Sequence, residues 1–370
     1  MKKGNLNKYF LLFSNCIVVS DQQRSVIYDL QRGTYIFIPR ILSKIVDKAR
    51  NKSINEVCSY YEYKYDRIIN SFFENLYLKG LGFYTYEPKL FPKMNLKWDS
   101  PYLITNIIID CDNEHIVSSF IKMIDDIGSE SVQLRVNDID CLGEVLKKMD
   151  TTRVRSIEVW ARYISKEFSN KIISICENHY KVRLVYFDNA TELDVNYINK
   201  ANMQVLYNRK SSESNMEANQ RNQFVINLPF FSESQLHNTY FNRKLYIGSN
   251  GQIKNSPDSK HVYGYVNKLN KNDFKKIIKS TKFKKLWFIH KKLIDVCRDC
   301  VFRNICIDSR TPIQRKSGGW FFAEECNYNP YIAKWKGEDG YKPLIEIGVT
   351  SNKNGFSISK QKLSHERSLL

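Results

Sequence analysis

The pattern that decides the fold is carried by LITNIIID at residues 103–110, EHIVSSFIKMIDDI at 114–127 and SVQLRV at 131–136. The first and third segments are short and rich in apolar strand formers, whereas the second places apolar residues at helical spacing. Further strands are predicted at 156–160, 181–187, 203–207 and 223–228, and further helices near 139–149 and 166–179. Strands that alternate with amphipathic helices predict a parallel sheet or an incomplete βα barrel. We therefore expect an α/β fold, with this barrel-like unit at residues 102–229.

Residues 1–86 are predicted to form a separate α+β unit. Short β-rich runs stand at 9–13, 16–19, 24–30 and 34–38, and helices are expected from Pro39 to about Arg50, from Ser53, and from Glu62 to Lys79. A hairpin sheet followed by three helices is a winged-helix-like arrangement. Residues 87–101 contain three prolines and no periodicity, so we interpret them as a linker.

Four cysteines near the C-terminal end have the spacing of a metal site. The segment VCRDCVFRNICIDSRTP at residues 296–312 contains Cys297, Cys300 and Cys306, and Cys326 follows after nineteen further residues. Four thiolates at this spacing can close a tetrahedral zinc site or hold one four-iron cluster. Either the zinc ion or the cluster would hold together a segment that has little regular structure of its own.

Disulfides, a Cys-x2-Cys redox pair and unrelated core cysteines are the competing interpretations. Disulfides need an oxidising compartment, and the N-terminal apolar run stops at Ser14 without a signal-peptide cleavage site. A redox pair leaves Cys306 and Cys326 unexplained. The other five cysteines stand singly in apolar surroundings, as buried thiols of a cytoplasmic protein do: Cys16, Cys58, Cys111, Cys141 and Cys176. We therefore favour a metal site and a cytoplasmic location.

The composition limits the class of protein but does not indicate a reaction. At 370 residues the chain can form two or three cores, and no apolar stretch reaches the length of a membrane span. The net charge of +18 favours an acidic partner, whether nucleic acid, a phosphate-bearing ligand or an acidic peptide. The sequence contains no Walker loop, Gly-x-Ser-x-Gly elbow or His-Glu-x-x-His motif, so independent catalysis is left open.

The run Cys-x2-Cys-x5-Cys with a distant fourth cysteine resembles the C-terminal half of a SPASM domain. That domain is the auxiliary iron–sulfur module of radical-SAM peptide-modifying enzymes. Two further cysteine positions of the family pattern are occupied here by Ser256, in the Gly-x4-Cys step, and by Arg310, in the x3-Cys step. The resemblance therefore implies a SPASM-like domain at residues 230–370 with one 4Fe-4S cluster, and zinc is the alternative metal. Its ligands are Cys297, Cys300, Cys306 and Cys326, and the nearby Arg298, Arg303 and Arg310 would offset its negative charge.

Residues 102–229 in turn resemble the partial barrel of radical-SAM proteins. In that family a Cys-x3-Cys-x2-Cys loop follows the first strand, and the corresponding stretch here reads CDNEHIVS at 111–118. One cysteine cannot hold the cluster that binds and cleaves S-adenosylmethionine. The resemblance therefore implies a degenerate barrel, and we expect no cleavage of S-adenosylmethionine.

Residues 1–86 look like a PqqD-type recognition element, the module that grips the leader of a ribosomally made precursor peptide. Over nearly its full length the chain is similar to the SPASM-domain peptide maturases of grasp-with-spasm systems, including KLYIGSNGQIKN at 244–255 and CNYNPYIAKWKGEDGY at 326–341. In those systems such a protein acts beside an ATP-grasp ligase. The resemblance implies a peptide maturation factor whose partners are a precursor peptide and that ligase.

In this interpretation the leader adds as a strand beside residues 34–38 and packs against the third helix. The peptide-binding candidates are Thr34, Ile36 and Ile38 on the strand, with Lys64 and Arg67 on the helix to favour an acidic leader. The alternative hypothesis is a zinc-stabilised winged-helix protein that binds nucleic acid, which the charge and the cysteines also suit. Against this hypothesis, nineteen residues separate the two cysteines of the second pair. The third helix also lacks a dense face of Arg, Asn and Gln side chains that could read bases.

Overall fold

The computed structural model describes residues 7–190, 198–200, 203–209 and 224–368. The N-terminal unit contains two antiparallel sheets and three helices. Its elements are β1 Tyr9–Leu12, β2 Cys16–Ser20, β3 Arg24–Asp29, β4 Thr34–Pro39, α1 Arg40–Ala49, α2 Ile54–Tyr60, α3 Asp66–Leu78 and β5 Gly82–Thr85. Strands β2, β3 and β4 form a meander, and β1 pairs with β5. The four predicted strands and three predicted helices are confirmed, and β5 is an addition.

Local chemistry explains where α2 and α3 begin. The Ser53 side chain caps α2 by accepting a hydrogen bond from the Glu56 amide. The Ser53 amide in turn donates to the Glu56 carboxylate at 2.6 Å, which completes the predicted capping box. Helix α3 begins at Asp66 rather than at the predicted Glu62, because Glu62 and Tyr63 have φ angles of 53° and 57°. A positive φ cannot continue a right-handed helix, so these residues belong to the turn between the two helices.

The three-stranded meander is covered on both faces. On one face, Ile27 packs with Ile36 and Ile38 into a core that contains the three helices. On the other face, Tyr28 packs into a second core that contains Phe302 of the C-terminal region. The meander therefore lies between its own helices and the cysteine-bearing segment.

The central sheet has nine strands and is mainly parallel. Its region contains β6 Asn106–Asp110, α4 Glu114–Ile127, β7 Ser131–Val136, α5 Leu142–Asp150, β8 Ser156–Arg162, α6 Lys166–Glu177, β9 Val182–Ala190, β10 Ile198–Lys200, β11 Met203–Arg209, α7 Leu228–Glu233, β12 Lys244–Ile247, β13 Gln252–Lys254 and β14 Gly264–Tyr265. The strand order is β10-β11-β9-β8-β7-β6-β12-β13-β14, with parallel pairing from β11 through to β12. The predicted mixed α/β fold with a large parallel sheet is confirmed. Because β12 to β14 come from residues 244–265, the sheet takes strands from both sides of position 229, where the sequence analysis divides the chain.

The prediction of a strand at 223–228 is wrong for the described residues 224–228. Phe224 makes an isolated bridge to Cys306, and α7 already begins at Leu228. The Asn227 side chain caps this helix by accepting a hydrogen bond from the Phe230 amide at 2.9 Å, and Pro229 suits its first turn. The helix cap at Asn227 therefore decides the local conformation, although the apolar pattern is typical of a strand.

The two faces of the central sheet differ in polarity. Helices α4, α5 and α6 share one apolar core with alternate residues of the strands. On the opposite face, β7 and β8 carry Gln133, Arg135, Glu158 and Trp160, all of them half-buried. A parallel sheet that is buried on both faces has continuous apolar strands, so the alternation seen here marks a sheet with one polar face.

The C-terminal region consists of short hairpins and two helices. Its elements are α8 Lys271–Lys279, β15 Ile313–Gln314, β16 Trp320–Phe321, β17 Tyr328–Asn329, β18 Lys334–Trp335, β19 Val349–Asn352, β20 Gly355–Ile358 and α9 Lys360–Ser368. Among the residues that the structure describes, no helix combines the length and the apolarity needed to cross a membrane.

Candidate functional site

Tight turns present the first two cysteines. Val296 has a φ of 64° and a ψ of −50°, and the Cys297 amide donates to the Asp295 carbonyl at 2.7 Å. This is a γ-turn with positive φ, a strained conformation for a β-branched residue. A 3-10 turn follows, in which the Cys300 amide donates to the Cys297 carbonyl at 3.1 Å. The two turns fix the backbone at both cysteines.

Cys306 and Cys326 reach the same region from further along the chain. The Cys306 amide donates to the Phe302 carbonyl at 3.0 Å, and Cys326 lies two residues before the hairpin of β17 and β18 begins at Tyr328. Both pack with Cys300 against an apolar core that includes Phe302 and Trp335. All four cysteines are half-buried.

Burial and neighbouring cysteines raise the pKa of three of these thiols, Cys297, Cys300 and Cys306. Burial, followed by the Cys297 and Cys326 groups, raises the pKa of Cys300. Burial also raises the pKa of Cys306 to about 11, against the opposing charge of Lys291. Burial is the main cause of the raised pKa of Cys297 as well, and Cys326 adds to it. The structure thus gathers the four predicted ligands in one neighbourhood.

Four thiols are the possible metal donors in this region. Among the described residues, no group of three or more His, Cys, Asp or Glu side chains is arranged so that it could hold one metal ion. Two sulfurs also accept backbone hydrogen bonds at 3.4 Å, Cys300 from the Phe302 amide and Cys326 from the Tyr328 amide. Such bonds to sulfur are a feature of iron–sulfur sites, so the residues fit this group.

Basic side chains lie among the cysteines. Lys291, which the sequence analysis missed, donates from Nζ to the Cys306 carbonyl at 2.6 Å. Burial lowers the pKa of Lys291, but Cys306, Asp308 and Cys297 together hold it above its usual value. Arg310 pairs with Asp308 at 2.7 Å, and its pKa is also raised by Cys297 and by Cys326. These two cations would offset the negative charge of thiolates at the four cysteine positions.

The predicted peptide-binding residues of β4 differ in exposure. Among the described residues, β4 pairs with β3 along one side and has no strand along the other. Thr34 is exposed, Ile36 is half-buried and Ile38 is buried, and the two isoleucines face the helical core. The side chains that face the cysteine segment are those of Tyr35 and Phe37.

The two predicted peptide-binding residues near α3 are exposed, and none of their ion pairs or hydrogen bonds among the described residues reaches the β4 edge. Lys64 precedes the helix and pairs with Glu62, and Arg67 stands in its first turn. Among the described residues, neither makes an ion pair or hydrogen bond with β4. A peptide at the β4 edge would meet them only if it also spanned the surface of α3.

Phe302 joins β4 to the cysteine segment. It stands between Cys300 and Cys306 in the sequence, and its ring centroid lies 6.1 Å from the ring centroids of both Tyr35 and Phe37. The guanidinium of Arg24 lies 3.8 Å from the centroid of the Phe37 ring. An aromatic and basic patch therefore lies on the face of β3 and β4 that meets the cysteine segment, which we call the β4 patch and define as Arg24, Tyr35, Phe37 and Phe302.

Hydrogen bonds hold the meander and the cysteine segment together. Tyr28 donates from its hydroxyl to the Val301 carbonyl at 2.7 Å in a buried position. Arg303 donates to the Ser20 carbonyl at 3.0 Å and to the Cys300 carbonyl at 2.7 Å. The backbone around Cys300 is thus anchored directly on the N-terminal sheet.

A second polar surface, which the sequence analysis missed, is the face of the central sheet away from α4 to α6. Tyr246 donates to the carboxylate of Asp110. Glu158 accepts from the Trp160 indole at 3.3 Å and from the Gln133 amide at 3.5 Å. The feature of the sequence that indicates this surface is the polar residue at every second position of β7 and β8. Hydrogen-bonded, half-buried polar groups of this kind suit a binding surface.

No family model matches the chain, and no curated protein does. Matches among solved structures include SuiB from Streptococcus suis, at 9% identity and a TM-score of 0.29, covering 80% of this chain and 94% of that chain. The structures of SuiB bound to S-adenosylmethionine and of SuiB bound to precursor peptide SuiA match at 10% identity, with the same TM-score and coverage.

Proposed function

We propose that this protein is a maturation factor for a ribosomally made peptide. In this proposal the winged-helix-like N-terminal unit binds the precursor leader, and the four cysteines hold one 4Fe-4S cluster in a SPASM-like region. The observation that supports it most is the shared core, in which Phe302 packs against Tyr28 and Tyr35 of the meander. A strand edge open to a peptide and a four-thiol site are thereby parts of one packed unit.

The leader would bind by adding a strand to β4. An unpaired edge offers a row of backbone N–H and C=O groups, which gives affinity with little demand on the side chains of the peptide. Phe37 is 43% exposed and offers an apolar contact beside this edge. Arg24 adds a positive charge there, and Lys64 and Arg67 extend it over α3. An acidic residue next to an apolar one in the leader would fit this arrangement.

The residues around the cysteines would hold and shield the cluster. A four-iron cluster supplies one-electron transfer and a concentrated negative charge when it is bound. The amides of Phe302 and Tyr328 orient two of the sulfurs, and Lys291 and Arg310 offset the charge. The apolar core beneath limits access of water. We propose that the chain presents the peptide to an ATP-grasp ligase, and we assign no residue a catalytic role.

We propose that the barrel-like unit does not cleave S-adenosylmethionine. Cys111 follows β6, and the positions of the other two motif cysteines hold His115 and Ser118. A reductive cleavage needs a cluster with three thiolate ligands at this loop, which these residues cannot supply. Reduced protein incubated with S-adenosylmethionine should therefore form no 5′-deoxyadenosine above a no-protein control. Formation of that product would refute the proposal.

Leader binding tests the role of the β4 patch. A labelled synthetic leader, taken from a short precursor gene beside this gene, is titrated with the full chain and followed by fluorescence anisotropy. Phe37→Ser should weaken binding about tenfold, which corresponds to about 1.4 kcal/mol. Ile345→Ser is the matched control, because Ile345 is 67% exposed and lies in the C-terminal region.

Two outcomes would contradict this assignment. Equal affinities of the two variants would place the leader away from β4. Tight binding of duplex DNA that falls steeply with salt would support the nucleic-acid hypothesis instead.

A further inference from the structure

Cys111 and Cys141 form a thiol pair that is separate from the four-cysteine segment. Their Sγ atoms lie 3.2 Å apart, and Cys141 Sγ lies 2.8 Å from the Cys111 carbonyl oxygen. Cys111 directly follows β6, and Cys141 is the residue before α5. A disulfide needs its sulfurs at about 2.05 Å, so an approach of little more than 1 Å would complete one.

The backbone around this pair is already held in place. The Cys111 amide donates to the Arg135 carbonyl at 2.7 Å, which continues the pairing of β6 with β7. The Asn137 side chain donates to the Asp112 carboxylate at 3.0 Å and so ties the loop before α5 to the loop after β6. The two sulfurs are therefore neighbours because of the fold.

The two thiols differ in their access to solvent. Cys111 is fully buried, whereas Cys141 is half-buried. An oxidant in solution reaches Cys141 first, and Cys111 is the thiol within reach of the product. Burial raises the pKa of both thiols, so the pair is protonated at neutral pH and its oxidation should accelerate as the pH rises.

We propose that Cys111 and Cys141 are a site of reversible thiol oxidation, in which a peroxide converts the dithiol to a disulfide. The Cys141 sulfur attacks the O–O bond of hydrogen peroxide, which gives a sulfenic acid and one water. The Cys111 sulfur then attacks the Cys141 sulfur, which forms the S–S bond and releases a second water. The two thiols give up two electrons and the peroxide accepts them. A small thiol reductant reverses the reaction by exchange.

The disulfide would tether two loops at the edge of the polar sheet face. Asp110, whose carboxylate accepts the hydrogen bond from Tyr246, is the residue next to Cys111. Oxidation would thus fix the position of the loop beside this hydrogen bond. The pair lies outside both the four-cysteine segment and the β4 patch.

Peptide mapping of the full chain tests the proposal. Reduced protein is treated with a small excess of hydrogen peroxide, its remaining thiols are blocked with N-ethylmaleimide in denaturant, and it is digested with trypsin without reductant. The tryptic peptide 98–122 contains Cys111 alone, and the peptide 136–147 contains Cys141 alone. We expect these two peptides joined, at the sum of their masses less two hydrogens, and released by dithiothreitol.

Variants separate this pair from the other thiols. Cys141→Ser should abolish the joined species, whereas Cys176→Ser, which removes a buried thiol of the same core, should leave it unchanged. The proposal is overturned if Cys111 is recovered blocked with N-ethylmaleimide after peroxide treatment. It is also overturned if Cys111 is joined to other cysteines as often as to Cys141.

Discussion

Asp295 and Arg315 form a buried ion pair directly beside the cysteines. Asp295 Oδ2 lies 2.5 Å from Arg315 Nη2, and both side chains are 4% exposed. Asp295 also supplies the carbonyl that accepts the Cys297 amide in the γ-turn. A charge left buried without its partner is costly, so each member of this pair stabilises the fold only while the other is present.

Arg315→Met should therefore lower the free energy of unfolding by about 3 kcal/mol, because Asp295 would lose its buried partner and keep only Arg298, whose side chain is 42% exposed, at 3.3 Å. Denaturant unfolding of the full chain measures the change. The matched control is Lys64→Met, which removes a partner of Glu62 from an exposed ion pair and should cost less than about 1 kcal/mol. A loss for Arg315→Met no larger than that of the control would contradict the assignment.

Among the elements, the pairing of β1 with β5 depends on a close approach at Gly82. A Cβ atom at this position would stand 2.4 Å from the Leu11 carbonyl oxygen and 2.6 Å from the ring of Phe10. Phe10 is 1% exposed and packs into the helical core, so neither contact can move away freely. Only glycine lets β5 lie so near to β1.

Gly82→Ala should destabilise the protein by about 1–3 kcal/mol through overpacking. Thermal or denaturant unfolding checks this value. Gly355→Ala in β20 is the control, because a Cβ there meets nothing within 4 Å, and it should change stability by less than about 0.5 kcal/mol. Equal effects of the two substitutions would mean that β1 and β5 do not approach as described.

Elements were predictable where neighbouring residues decide them. The capping box at Ser53 and the helix from Glu114 to Ile127 are read directly from short-range spacing, and the structure has both. Strand β5 was missed because its four residues form a strand only through β1, about seventy positions earlier. The strand predicted at 223–228 is not formed by the described residues 224–228, because Asn227 caps a helix there. Apolar periodicity alone does not reveal this helix.

At the scale of the molecule, the N-terminal meander and the cysteine segment form one core. The hydrogen bond from Tyr28 to the Val301 carbonyl joins residues 273 positions apart. No local pattern encodes such a contact, so the sequence analysis placed these parts in separate units. The cysteine spacing predicts four metal ligands, whereas Lys291 and the aromatic ring of Phe302 are recognisable only through their positions in the fold.

The central claim is that Cys297, Cys300, Cys306 and Cys326 together hold one four-iron cluster. It is tested by the iron, acid-labile sulfide and zinc content of the full chain after anaerobic purification. We expect about four iron and four sulfide per chain, as one cubane requires. Cys300→Ser should lose most of both, and Cys176→Ser, which removes a buried thiol of the central core, should keep them. One zinc per chain without sulfide, or an iron content unchanged in Cys300→Ser, would contradict the account.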